Sequence, residues 1–162
     1  MTKQQHVIRE SIDADAAIDL VAALSDHDSA HIEKKMYYPY FRFAGQCTVP
    51  ALFGRRAMQI NCLVDAVSGL GATADSYNVV QRHLRDGESI NIGITAEQAE
   101  RSAQRTVTHR LSRQMRVIAP FDLDLDTGGV VYKGYWIVSS GNVRAMVDSV
   151  NGSMHPLRSR AA

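Results

Sequence analysis

Metal ligation is the first chemistry that the residue types of this chain allow. His27 and His31 stand four apart with Asp28 between them, a spacing that would set both imidazoles on one face of a helix running through them. A structural zinc takes four ligands and no third accompanies this pair, so no metal site is expected. Asp122-Leu123-Asp124-Leu125-Asp126 has the acidic spacing of a calcium loop. Thr127, however, stands where that loop needs glycine, and Lys133 where it needs a bidentate glutamate. The same residues alternate with period two, which reads better as a strand with one wet face.

Nucleophilic chemistry would fall to Cys47 or Cys62, two thiols being too few for a disulfide framework. If Tyr38 pairs with Asp65 in an antiparallel hairpin, Cys62 lies across from Phe41 and Cys47 across from Arg56. Cys62 is then an inert buried thiol, while a cation beside Cys47 would lower its pKa. Glycine-rich phosphate loops are absent from the sequence, so no nucleotide and no other cofactor is expected. Arg101, Arg105, His109, Arg113 and Arg116, with Arg110 nearby, form a basic stripe that could collect phosphates; a solvated helix face is the commoner explanation of such a pattern.

The residues best suited to recognition are aromatic. In Tyr37-Tyr38-Pro39-Tyr40-Phe41-Arg42-Phe43, strand alternation sends Tyr37, Phe41 and Phe43 to one face and Tyr38, Tyr40 and Arg42 to the other. Tyr132, Trp136 and Val138 are their core-facing counterparts downstream, with Tyr135 on the reverse side. Tyr38, Tyr40, Arg42 and Tyr135 would line a half-apolar surface bearing hydroxyls and a guanidinium, suited to a peptide, a carboxylate ligand or a partner subunit. These four are the expected binding residues, and none is assigned a catalytic role.

Two helices must position these groups. Asp13 can cap the first, in which Ala14, Ala17, Ile18, Val21 and Leu24 share a face. The second opens with a capping box, Thr95-Ala96-Glu97-Gln98, and carries the stripe Ala96, Ala99, Ala103, Val107, Leu111 and Met115. Strand composition covers 36–49 and 56–67, followed by a short piece from Leu70 to Ala74. In the second half, Phe121 opens an alternating strand, Thr127-Gly128-Gly129 is expected to turn it, and 130–138 and 143–150 form a hairpin.

The order helix, aromatic strand, strand, Asp-x-Val-x-Gly therefore occurs twice: Asp65-Ala66-Val67-Ser68-Gly69 is answered by Asp148-Ser149-Val150-Asn151-Gly152. Together with Ile94-Thr95-Ala96-Glu97-Gln98-Ala99, and more loosely Ile12-Asp13-Ala14-Asp15-Ala16-Ala17, this text resembles the PepSY domain, the peptidase-propeptide and inhibitor module. The resemblance implies a cystatin-like curled sheet gripping a helix, and binding or inhibition rather than catalysis. The aromatic run is heavier than in that family, and no leader for export precedes it. The fold expected is α+β: two helix-plus-antiparallel-β-hairpin repeats related by a pseudo-twofold, over 8–75 and 94–157, with 76–93 as linker. Asp65 and Asp148 are read as turn builders, since Asp accepts from amides two residues on and Gly supplies positive φ.

At 162 residues, 45% apolar and 22% charged, the chain has the composition of an ordinary globular protein. A net charge of +1 disfavours nucleic acid as a partner, and any such claim has to come from where the charges sit. No apolar run approaches the roughly 20 residues of a membrane span, so a cytoplasmic protein is expected. The expected function is a non-catalytic binding or accessory module for a peptide, protein partner or small ligand, using the aromatic sheet face. Two other readings stand beside it. One is a small cofactor-free enzyme of isomerase or cyclase type, with a Tyr/His/Asp acid-base pocket around His83 or His109; the other is a homodimer joined through its exposed aromatics.

Overall fold

The structure is a computed structural model that describes residues 2–25, 29–51, 54–115 and 122–158. In chain order it contains β1 (Thr2–Ile8), α1 (Ala14–Ala22), β2 (His31–Ala51), β3 (Gly54–Asp65), β4 (Gly71–Ala74) and β5 (Val79–Arg85). These are followed by α2 (Ala96–Met115), β6 (Asp122–Ser140), β7 (Val143–Asp148) and β8 (Met154–Pro156). The hydrogen-bonded strand order is β4-β3-β2-β6-β1-β5, with β7 on β6 and β8 on β7.

This overturns the expected pair of helix-plus-hairpin repeats and the tandem PepSY arrangement. Of the described residues, 54% are strand and 20% helix, and their eight strands form one mixed sheet, so the fold is sheet-dominated. Residues 2–8, which precede the expected first repeat except for Ile8, and 79–85, inside the expected linker, are strands that pair with each other along their whole length. Both strands are polar at most positions and lack the sustained alternation by which strands are read from sequence. The expected turn at Thr127-Gly128-Gly129 is also absent: β6 runs through it, with Gly129 at φ 78°.

Two compact units emerge, neither continuous in sequence. The first comprises Met1–Tyr38, Asn78–Ile90 and Tyr132–Ala162; the second comprises Pro39–Tyr77 and Asn91–Val131. In the first, Ala17 and Val21 of α1 pack on Val138, Ala145 and Val147 of the β6–β7 hairpin. In the second, Ala99, Ala103, Val107 and Leu111 of α2 pack on Phe41, Phe43, Cys47, Cys62, Val64 and Ala66. Each helix thus covers the hairpin of the opposite half of the sequence. Full burial of Val107 and Leu111 contributes about 2 kcal/mol apiece.

Local chemistry explains where the elements start and stop. Asp13 accepts from the Ala16 amide at 2.8 Å, while Thr95 and Gln98 close the capping box reciprocally at 2.9 and 3.1 Å. At the first turn, Asp65 Oδ1 accepts from the Val67 and Ser68 amides, and Gly69 adopts φ 82°. At the second, Asp148 Oδ1 accepts from Val150 and Asn151, and Gly152 adopts φ 77°. The surroundings differ. Asp148 is only 3% exposed and its Oδ2 meets Lys133 Nζ at 2.5 Å. Asp148→Ala strands that lysine, so it is expected to cost about 3–5 kcal/mol. Asp65→Ala removes the turn hydrogen bonds of a half-buried carboxylate and should cost at least about 1–2 kcal/mol. Parallel urea titrations of the two variants check the difference.

A candidate binding edge beside the second helix

Tyr40 and Arg42, two of the four expected binding residues, lie on the face of β2 turned from α2 in the second unit. Both are half-buried, and Arg42 Nε donates to the Gly128 carbonyl at 2.6 Å. Tyr38 and Tyr135 belong to the first unit. Tyr135 is 9% exposed, stands opposite Asp148 and has the Lys133 ammonium 5.7 Å from its ring centroid, so it belongs to the packed interior of that unit. The structure therefore does not gather the four into one open surface within either unit. Tyr77, which sequence reasoning passed over, joins Arg42 in the second unit: burial pushes its phenol pKa up, and the guanidinium acts against that rise.

The thiols and histidines are placed as follows. The β2–β3 pairing runs Tyr40 to Asp65, Phe43 to Cys62 and Cys47 to Met58, two residues away from the expected register. Cys47 therefore faces methionine instead of arginine. Burial raises the Cys62 pKa to about 11, which keeps this thiol protonated at neutral pH. Both cysteines are fully buried. His27 and Asp28, half of the metal reading, lie outside the described residues, as do Arg116 and Phe121. α1 ends at Ala22 and His31 opens β2, so no described helix reaches that histidine. Among the described residues there is no cluster of three metal-ligating side chains. His83 and His109 are both exposed.

The feature with a binding geometry is β4. Among the described residues it pairs with β3 alone, so its other side is a sheet edge there. The Asp65 amide bonds to the Leu70 carbonyl at 2.8 Å. Antiparallel pairs alternate between bonded and unbonded. In the register Leu63 to Ala72 and Cys62 to Thr73, Ala72 and Ala74 therefore turn their amides and carbonyls toward β3, while Gly71 and Thr73 turn theirs outward. The Pro39 carbonyl, which accepts from Ala66, puts Val64 and Cys62 in bonded pairs with β2, in agreement with this phase.

The sequence of this edge, Gly71-Ala72-Thr73-Ala74, holds no lysine, proline or inward charge, the devices by which edge strands usually block further pairing. Gly71 is required for its closeness to α2: a Cβ there would sit 2.3 Å from Thr106 Oγ1. Ser102 Oγ also donates to the Gly69 carbonyl at 2.6 Å. Beside this edge runs an open groove of about 510 Å³, floored by Met58, Ile60, Val107 and Leu111 and flanked by Arg110 and Gln114 on the helix side and by Thr73 and Asp75 on the strand side. His109 and Arg113 continue the cationic wall along β4. At the other end Leu70 is 75% exposed, with Val67 exposed beside it.

Edge, groove and wall were partly visible in the sequence, where 70–74 reads as a short strand and the basic stripe as a helix face. Their adjacency was not, because it depends on which hairpin α2 covers. No described helix is long and apolar enough to cross a membrane. No protein-family model, curated protein or solved structure matches this chain.

Proposed function

We propose that this protein is a non-catalytic binding module that captures an extended, acidic segment of a partner protein by adding it as a strand to β4. The observation that carries the reading is the unguarded edge, with Gly71 and Thr73 turned outward beside a wall bearing Arg110, Arg113 and His109. In strand addition the main-chain hydrogen bonds supply affinity and side-chain pockets supply selectivity. Here the groove offers an apolar floor for alternate side chains, and guanidinium groups for carboxylates. A second copy is the weaker occupant. Self-pairing at one patch sets that patch against itself, so Arg110 and Arg113 would meet their own equivalents.

Fluorescence anisotropy with a short labelled peptide alternating glutamate and valine tests this on the full chain, with a lysine–valine peptide as control. Arg110→Glu combined with Arg113→Glu should weaken the glutamate peptide by about tenfold or more, with a smaller loss at high salt. Arg42→Ala should bind as the parent does. Equal affinity for the lysine peptide would contradict the proposal, and capture lost in Arg42→Ala alone would move the site to the aromatic face.

A further inference from the structure

A net charge near zero conceals a segregation that only the fold displays. β1 and β5 pair residue for residue, from Thr2 with Arg85 to Ile8 with Val79. Neither strand contains an acidic residue, and together they carry Lys3, Arg82 and Arg85 with His6 and His83. Register and alternation gather Thr2, Gln4, His6, Gln81, His83 and Arg85 on one face. Gln4 Nε2 donates to Gln81 Oε1 at 2.5 Å, and Gln81 Nε2 stands 3.5 Å from His6 Nε2, so side chains of this row meet across the two strands. The other face buries Val7 and Leu84 and exposes Lys3 and Arg82. β1 meets β6 only at Val7, opposite Tyr132, which leaves the Thr2 end as a two-stranded ribbon. The nearest acids in sequence are Asp86 and Glu88, in the turn beyond β5, and Glu10, two residues past β1; Glu88 Oε2 accepts from the Arg85 amide at 2.7 Å and Glu10 Oε2 meets Lys35 Nζ at 2.6 Å.

We infer that this ribbon is an interaction surface separate from the β4 edge, and that its partner is duplex DNA. Cations fix a protein on phosphates, while glutamine and arginine read base edges; Gln4, Gln81 and Arg85 stand on this face, and Lys3 and Arg82 flank it from the ribbon's other side. A two-stranded ribbon fits the roughly 12 Å major groove of B-form DNA. The deep, narrow major groove of A-form RNA does not admit it. A lipid surface would require apolar side chains to bury, and the outer half of this face has none. The outer stripe of α2 begins among Glu97 and Glu100 and lacks the glutamine row.

Anisotropy of a short labelled DNA duplex across a salt series tests the assignment on the full chain. Lys3, Arg82 and Arg85 are exposed, so replacing all three by alanine should leave the fold intact, which circular dichroism checks. The triple variant should lose about tenfold or more in affinity at low salt and flatten the log–log salt slope by up to about 2.7, at roughly 0.9 for each of the three that contacts a phosphate. Arg101→Ala with Arg105→Ala should change neither. Absence of binding at low salt, equal binding of an RNA duplex of the same sequence, or a loss confined to the α2 variant would overturn it.

Discussion

Thr73→Pro should abolish capture of the glutamate–valine peptide and leave the protein folded. The Thr73 amide points out of the sheet, so proline there removes no internal ladder bond, and a φ near −65° is tolerated at a sheet edge. The added strand would lose a donor and meet the pyrrolidine ring. Loss of one main-chain hydrogen bond, together with an unsatisfied carbonyl on the peptide, amounts to about 3 kcal/mol, on the order of a hundredfold in affinity. Ala72→Pro supplies the contrast one residue away. The Ala72 amide faces β3, so that variant should lose stability by about 3 kcal/mol as well as binding. Reading denaturant midpoint and peptide affinity on both variants separates the two effects. If Thr73→Pro binds as the parent does, the edge is not the site.

Gly45→Ala is expected to be the most damaging Gly→Ala change among the described residues. A Cβ at Gly45 would lie 1.8 Å from the Asp124 carbonyl oxygen and 2.8 Å from its carbon. The obstruction is backbone of β6, not the end of a flexible side chain, so relief requires the strands to part. Overpacking of this kind costs roughly 1–3 kcal/mol where side chains can yield and more where backbone must. A loss above about 3 kcal/mol, or failure to fold, is expected in urea titration. Gly54→Ala is the control. Gly54 has φ 103° and nothing within 4 Å of the added methyl, so only the left-handed backbone penalizes it, by about 1–2 kcal/mol.

The legible parts of this fold are those decided within a few residues. Asp13, the Thr95–Gln98 box, and the Asp65 and Asp148 turns each announce themselves because donor and acceptor are neighbours in sequence. Face assignment survived an error of register. Pairing Tyr38 with Asp65, where the structure pairs Tyr40, is a slip of two, which preserves side-chain alternation and leaves Phe41 and Phe43 inside. In the second hairpin Tyr135 stands opposite Asp148, and Lys133, two residues earlier, reaches that aspartate diagonally. What could not be read was long-range: that α2 covers the first hairpin and α1 the second, and that β1 finds β5. Short alanine-rich faces fit either hairpin equally well, so their sequence does not name the partner. The β4 edge inherits that blindness, since an edge is defined by which strand is absent beside it.

Amide hydrogen exchange of the full chain, followed by NMR with and without the glutamate–valine peptide, tests strand addition most directly. Slowed exchange is expected at the outward amides of Gly71 and Thr73, with Ala72 and Ala74 little changed because β3 already protects them. Unaltered exchange at Gly71 and Thr73 in a peptide-saturated sample, with protection gathered anywhere else, would contradict it.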